Sequence, residues 1–386
     1  MNQVQLRSRI TRSLRTQGFR IRDGQILPPP NGDKQGIRDL HALAVQHRVE
    51  RSRPELVRVE PTLLGRLASG GEVVAEKIHP RLVEVKSGSD DELLFRYASL
   101  HWSIPVSSGY GRRLRFLVID EPNNKLIGLF GLADPVFSLA DRDKWVGWDK
   151  EKRNNRLRHV MDAFVLGAVP PYCFLLCGKL IAMLVASNEV REAFSRKYGG
   201  SRSLIQGRVF DGRLALVTTT SALGRSSIYN RLKYRDRLLF QSVGFTHGSG
   251  EFHFSNGLYS SISKYAVRYC KPTAKQKHWG KGFRNRREVV KKCLAKIKLS
   301  TRWLYHQIQR EIFVVPLAAN TREFLRGEHS TLEWFDQPAE DLFTFFRERW
   351  LIPRSEKDHR YRFWEPSEWQ LWHGEEIGNG RTYPAQ

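Results

Sequence analysis

Eleven basic residues fall between Lys271 and Lys298: Lys271, Lys275, Lys277, Lys281, Arg284, Arg286, Arg287, Lys291, Lys292, Lys296 and Lys298. Glu288 is the only acid among them, and Trp279 and Phe283 are interleaved. Such a cluster suits a polyanion, because each phosphate it neutralises releases condensed counterion. The rings suit unpaired bases, on which they can stack. Arg287, Lys291 and Lys298 fall at helical-face spacing, opposite an apolar stripe. A charge run is ordinarily a solvated helix face. Here the near absence of acids favours DNA or RNA as partner, with Lys275 to Lys298 making the contacts. No helix-turn-helix, zinc-finger or RNA-recognition signature accompanies the segment.

Three other constellations could carry chemistry. In Asp141-Arg142-Asp143-Lys144-Trp145-Val146-Gly147-Trp148-Asp149, carboxylates alternate with cations and tryptophans. The carboxylates could bind a metal or act as acid and base, and Arg142 and Asp143 are the catalytic candidates here. A turn in which Arg and Asp pair while the tryptophans pack is the simpler account. In His247-Gly248-Ser249-Gly250-Glu251-Phe252-His253, the even spacing of His247, Glu251 and His253 would put all three on one strand face. The glycines favour a turn that breaks that face, so no metal site is expected. Tyr229 is a candidate general acid if its helix lines a cofactor cleft, and a packing residue otherwise. Thr218-Thr219-Thr220-Ser221 is rich in hydroxyls but lacks a nucleophile elbow. No complete catalytic set is readable, and no motif asks for a cofactor.

These residues need elements to position them. Val4, Leu6, Ile10 and Leu14 give a loose helical spacing in Met1–Arg22, ended by Pro28-Pro29-Pro30-Asn31-Gly32. A second helix is predicted over Ile37–Arg53. Leu114–Asp120 and Leu126–Ala133 read as strands of a hairpin turning at Glu121-Pro122-Asn123-Asn124. Met161–Val169 is a third strand, and Pro170-Pro171 stops it. Cys173–Tyr198 then reads as one helix, with Cys173 and Cys177 on one face as core thiols. Ser203–Phe210 and Leu214–Thr220 read as strands, Ser226–Leu239 as a helix, and Val243–Phe254 as a glycine-rich strand or hairpin. Val290, Leu294, Ile297, Leu304 and Ile308 carry a helical pattern over Arg286–Glu311.

The predicted class is α/β: a mixed-sheet core between helical N- and C-terminal regions. A proline-broken strand followed directly by a helix resembles the Gcn5-related acyltransferase fold. The predicted division is a helical N-terminal region (1–100), an α/β core (101–258), a basic, aromatic helical region (259–373) and a flexible tail (374–386). The cores are large enough without staples, because the chain has 386 residues. Its four cysteines are too few for a disulfide framework, and a reducing cytoplasm is expected. The longest apolar stretch, Ala163–Gly178, is too short to span a bilayer and is broken by prolines. Lys and Arg number 64 against 40 acids, a net charge of +24. The N-terminal arginines, Arg7 to Arg22, form a second acid-free share of that charge. Neither share has the strongly apolar face of an interfacial anchor, so a membrane is not the expected partner.

One series of strings runs through the chain in order. It opens with Gly109-Tyr110-Gly111-Arg112-Arg113-Leu114-Arg115-Phe116-Leu117, Leu126-Ile127-Gly128-Leu129, Asp134-Pro135-Val136-Phe137, Arg142-Asp143 and Gly147-Trp148. Gly250-Glu251-Phe252-His253, Leu258-Tyr259, Arg310-Glu311-Ile312-Phe313 and Val315-Pro316-Leu317-Ala318 follow. Arg322-Glu323-Phe324-Leu325-Arg326-Gly327 and Arg349-Trp350 close it. The series resembles the DruA family of Druantia anti-phage systems, from about Ile37 to Phe363. The resemblance implies a bacterial defence protein. In type I systems it is encoded beside DruB, DruC, DruD and the very large helicase-like DruE. It assigns no catalytic residues. Relatives near mobile elements often carry Glu-Thr-Phe after the strand that ends here in Thr218-Thr219-Thr220. The expected function is therefore a nucleic-acid-binding subunit of a defence complex. An acyltransferase using acetyl-CoA, or a structural subunit docking through Trp364–Trp372, are the alternatives.

Overall fold

The computed structural model describes residues 1–29, 33–107, 111–202, 207, 209–274 and 282–373. Lys275, Lys277 and Lys281 lie outside the described residues, as do Trp279, most of Ser203–Phe210 and the tail 374–386.

The chain opens with helix α1 (Gln3–Thr16), a short hairpin of β1 (Arg20–Arg22) and β2 (Gln25–Leu27), and helices α2 (Lys34–Leu56) and α3 (Glu60–Leu64). A reciprocal cap starts α1: the Gln5 amide donates to the Asn2 side chain at 2.9 Å, and the Asn2 amide to the Gln5 side chain at 3.0 Å. Leu6, Ile10 and Leu14, four residues apart, are fully buried.

Next come β3 (Pro80–Glu84), α4 (Asp90–Ala98), β4 (Arg113–Asp120), β5 (Lys125–Ala133), α5 (Ala140–Val146), α6 (Lys150–Arg156) and β6 (Val160–Ala168). They are followed by α7 (Cys177–Leu184), α8 (Asn188–Tyr198), β7 (Leu216–Thr220), β8 (Lys233–Tyr234), β9 (Arg237–Leu238) and β10 (Gln241–Phe245). The chain continues through α9 (Leu258–Tyr269), α10 (Arg286–Lys296), β11 (Glu311–Pro316), α11 (Thr321–Arg326), α12 (Ala339–Phe346) and α13 (Ile352–Ser355).

Seven strands form one mixed sheet, ordered β10-β11-β7-β6-β5-β4-β3. Every pair is antiparallel except β6–β7. The β4–β5 hairpin turns at the predicted place, with Asp120 opposite Lys125. Side chains alternate between two covered faces. Phe116 and Val118 join the core under α7, while Leu117 and Ile119 join the core under α4. The parallel pair is short: Val160, Met161 and Asp162 face Leu216, Val217 and Thr218. Beyond it β6 carries an extra residue, Phe164, against β5. The Phe164 ring lies over Gly131, where a Cβ would meet it at 2.4 Å, so a larger residue there would displace the ring.

Several expected elements differ. Cys173–Tyr198 is not one helix. Leu176 takes a left-handed conformation (φ 60°), so Cys173 lies in a short turn before it and Cys177 begins α7. The two thiols therefore do not share a helix face. Ser226–Leu239 is a single 3-10 turn (Tyr229–Arg231) followed by the β8–β9 hairpin, which Arg235 turns with φ 52°. The helical pattern of Arg286–Glu311 ends at Lys296, and the apolar run Ile312–Val315 is a strand inside the sheet. Trp364, Trp369 and Trp372 are 5–7% exposed and close the core under α4, with His101 stacked on Trp369 at 3.9 Å. The docking surface expected of them is absent, because their rings already have partners. Among the described residues, no helix is long and apolar enough to cross a membrane.

Candidate nucleic-acid interface

Two segments far apart in sequence share one hydrophobic core. Leu6, Ile10 and Leu14 of α1 pack with Leu258, Ile262 and Ala266 of α9 and with Val290, Cys293, Leu294 and Ile297 from the α10 region. Ile26, Trp303 and Ile308 complete this core, with Ile37 and Leu40 of α2. Arg9 donates to Ser261 at 3.1 Å, and Asn256 to Ser13 at 2.8 Å. None of α1, α9 and α10 can bury its apolar stripe alone, so each needs the others.

The consequence is electrostatic. Residues 1–29 and 258–300 hold nineteen Lys and Arg against two acids, Asp23 and Glu288, and so +17 of the net +24. Arg7, Arg9, Arg12, Arg15, Arg20 and Arg22 are all exposed, and none of them makes an ion pair among the described residues. A groove of about 680 Å³ runs along α1, lined by Gln5, Ser8, Arg9, Arg12, Ser13 and Thr16, with Val4 and Leu43. Its lining holds hydrogen-bond donors and no carboxylate.

Glu288, the acid inside the basic segment, is turned inward. It accepts from the backbone of Thr273 at 3.0 Å and of Arg284 at 2.7 Å, and from the Thr273 hydroxyl. Burial opposes its charge, but these bonds outweigh it and hold the carboxyl below its usual range. It therefore stays ionised and is the one acid subtracted from this segment's charge.

The expected contact residues divide into two groups. Arg284, Lys291, Lys296 and Lys298 are exposed and free to meet a phosphate. Arg286 is tied back, over the Tyr259 ring at 3.9 Å and donating to Ser255 at 2.8 Å. Arg287 lies over Tyr305 and pairs with Glu251 at 3.6 Å. Lys292 donates to the Lys271 carbonyl and pairs with Glu288 at 3.5 Å. The N-terminal arginines were legible as a charge share but not as neighbours of this segment. Only the unsatisfied stripe Leu6-Ile10-Leu14 hinted that α1 must dock on something.

The candidates for chemistry are placed differently. Arg142 is fully buried, and its guanidinium donates to Asp143 at 2.6 and 2.9 Å and to the carbonyls of Val136 and Phe137 at 2.9 and 3.2 Å. Asp143 also accepts from Arg153 at 3.0 Å. Asp141 instead accepts the Phe245 amide at 3.0 Å, and Asp149 caps α6 through Lys152 at 2.7 Å. The three carboxylates thus point to three different tasks. Tyr229 stacks on Phe240 at 4.7 Å and meets Phe313 edge-on at 5.2 Å. Burial pushes its phenol upward, so it packs rather than titrates.

His247 is exposed, Glu251 pairs with Arg287, and His253 is buried against the Trp303 carbonyl at 2.7 Å. These three do not converge. Among the described residues, no group of three His, Cys, Asp or Glu could hold a metal ion. The sequence did not foreshadow a different cluster, His41, His253 and His306, gathered around Phe252. Nor did it single out Asp162, which accepts from the Thr218 hydroxyl at 2.8 Å and whose pKa burial raises. The Thr219 hydroxyl donates to the Ala163 carbonyl at 2.8 Å, so this hydroxyl-rich run serves the sheet.

The family model described as Druantia protein DruA matches residues 31–327. The chain belongs to the DruA family. A curated relative, Druantia protein DruA of Escherichia coli (strain UMEA 4076-1), is 39% identical over 368 residues. The match covers 95% of this chain and 91% of the relative. No solved structure gives a significant match. In this member of the DruA family, α1 lies outside the matched residues, yet it is packed into the same core as α9 and α10.

Proposed function

We propose that this DruA-family chain is the nucleic-acid-binding component of a Druantia anti-phage system. It works in the cytoplasm, in a complex with other Druantia subunits, the helicase-like DruE among them. One observation carries the reading: two acid-poor segments, remote in sequence, share a core, and their described residues form one field of +14. A field of that size steers and holds a polyphosphate. The test is binding of DNA and RNA across a salt series. Affinity should fall linearly with salt on a log–log plot. No salt-dependent binding to either polymer would sink the proposal. Co-purification of the other subunits with a tagged chain tests the complex.

A second reading is an acyltransferase-like enzyme. The backbone pairing of β6 with β7 ends after three residue pairs, next to the extra residue Phe164 of β6, and this favours it. The Thr219 hydroxyl nevertheless bridges to the Ala163 carbonyl at 2.8 Å just beyond the paired stretch. Against it, the stretch from Pro171 to Gly178 holds no cation to meet a pyrophosphate, and Lys179 lies over the Trp350 ring. Acetyl-CoA decides the matter through thermal stability. A ligand at a hundred times its dissociation constant adds about 2.7 kcal/mol. No shift at millimolar acetyl-CoA removes this reading.

A further inference from the structure

We infer that the polymer bound by this basic unit is single-stranded, and that Tyr269 and Tyr305 are the platforms on which its bases stack. The inference rests on the nucleic-acid reading above and names its substrate class.

Tyr269 and Tyr305 are 43% and 49% exposed, two of the few large aromatic rings left open to solvent among the described residues. Both belong to the basic unit. Tyr269 ends α9, and Tyr305 follows α10 by a short turn. A guanidinium covers one side of each ring, Arg268 at 5.3 Å from Tyr269 and Arg287 at 5.6 Å from Tyr305, and Tyr265 meets Tyr269 at 4.6 Å, so a base takes the side left open. The open side of a ring takes a base, and the exposed cations of α10, Lys291 and Lys296, take its phosphates. That pairing recurs wherever single strands are held without sequence readout.

The rings bracket α10. Tyr305 lies at Arg287, and Tyr269 adjoins Cys270, whose thiol donates to the Lys292 carbonyl at 3.6 Å. Arg287 and Lys292 are five residues apart, about 7.5 Å of helix rise. They project from opposite flanks of the helix, at about 100° per residue. Lys291, between these two positions on α10, is exposed.

A duplex fits this surface poorly. Its bases already stack on each other and offer a tyrosine nothing but an edge. A helix that reads a groove does so with its first residues. Here the first arginines of α10, Arg286 and Arg287, are folded back onto Tyr259 and Tyr305.

The test compares a single-stranded oligonucleotide with its own duplex, as DNA and as RNA, on the full chain. Single strands should bind more tightly. Tyr269→Ala and Tyr305→Ala should each weaken single-strand binding about 5- to 150-fold, the usual worth of one stacked base. Duplex binding and melting temperature should stay as in the parent. Tyr269→Phe and Tyr305→Phe keep the ring and should restore single-strand binding. Equal binding of both forms, with no effect of either alanine, overturns the inference and leaves the nucleic-acid reading standing. No binding of any polymer overturns both.

Discussion

The Arg9 guanidinium donates to the Ser261 hydroxyl at 3.1 Å, joining residues 252 positions apart. It marks the seam between α1 and α9, where the N-terminal arginines meet the basic helices. Through this seam two charge runs become one surface.

If that surface holds phosphates, its exposed arginines should act alike and without regard to sequence. Replacing Arg7, Arg12 and Arg15 together by Gln should weaken binding to every sequence tested. Each lost phosphate contact should reduce the salt slope by about 0.7 to 0.9. An unchanged slope, measured by anisotropy titration at several salt concentrations, would remove α1 from the interface.

Within α10 the lysines should not be equivalent. Lys291 is exposed and has no ion pair among the described residues, whereas Lys292 is held by the Lys271 carbonyl and Glu288. Lys291→Gln should lower affinity at an unchanged melting temperature. Lys292→Gln should act more on thermal stability than on binding. The reverse ranking would mean that the pairing seen here does not persist in solution.

Ile10 supplies the next prediction. Its side chain is fully buried between α1 and the basic helices. Ile10→Ala should cost about 2 to 5 kcal/mol through lost burial and the cavity left behind. Amide exchange should then accelerate in α9 and α10, although the substitution lies in α1. Acceleration confined to α1 would show that the helices are not one cooperative unit.

Arg142 and Asp143 form a clamp that ties α5 to the Val136–Phe137 segment. Arg142→Met leaves Asp143 with one arginine partner, Arg153, in a buried setting. Breaking a buried pair costs about 3 to 5 kcal/mol. The variant should therefore melt well below the parent. Full stability with lost biological activity would instead restore Arg142 as a functional residue.

Local signals were readable in the sequence, and long-range ones were not. The β4–β5 hairpin follows from its Pro-Asn-Asn turn, and β6 from an apolar run stopped by prolines. The helix predicted after Arg286 ran on past Lys296 because Leu304 and Ile308 fall by chance in the helical register of Val290, Leu294 and Ile297. The helix at Ser226–Leu239 failed because its few apolar residues serve a 3-10 turn and a hairpin. The interface was half legible. Charge runs show in a sequence, but the packing of α1 on α9 is a contact across most of the chain. Arg286, Arg287 and Lys292 read as free cations because their partners, Tyr259, Glu251 and the Lys271 carbonyl, are set by the fold.

Acid should loosen the joint between the basic unit and the sheet. Burial lowers His41 to about 3, helped by the cations of Arg310 and neighbouring His306. Burial likewise takes His253 to about 3 and His306 to about 4. In the unfolded chain each returns to its ordinary value of 6.5. Between these limits the unfolded state binds more protons, so stability rises with pH there. The contribution is fully present above about pH 6.5 and is lost as pH falls toward 4 and then 3. Each histidine adds about 1.4 kcal/mol per pH unit to that slope. Melting temperature should therefore drop steeply from pH 6.5 to pH 4.5. His41→Phe, whose ring can rest on Phe252 as the imidazole does at 3.9 Å, should remove one proton from the slope. A slope unchanged by that substitution would show that His41 titrates normally and that the cluster does not control acid stability.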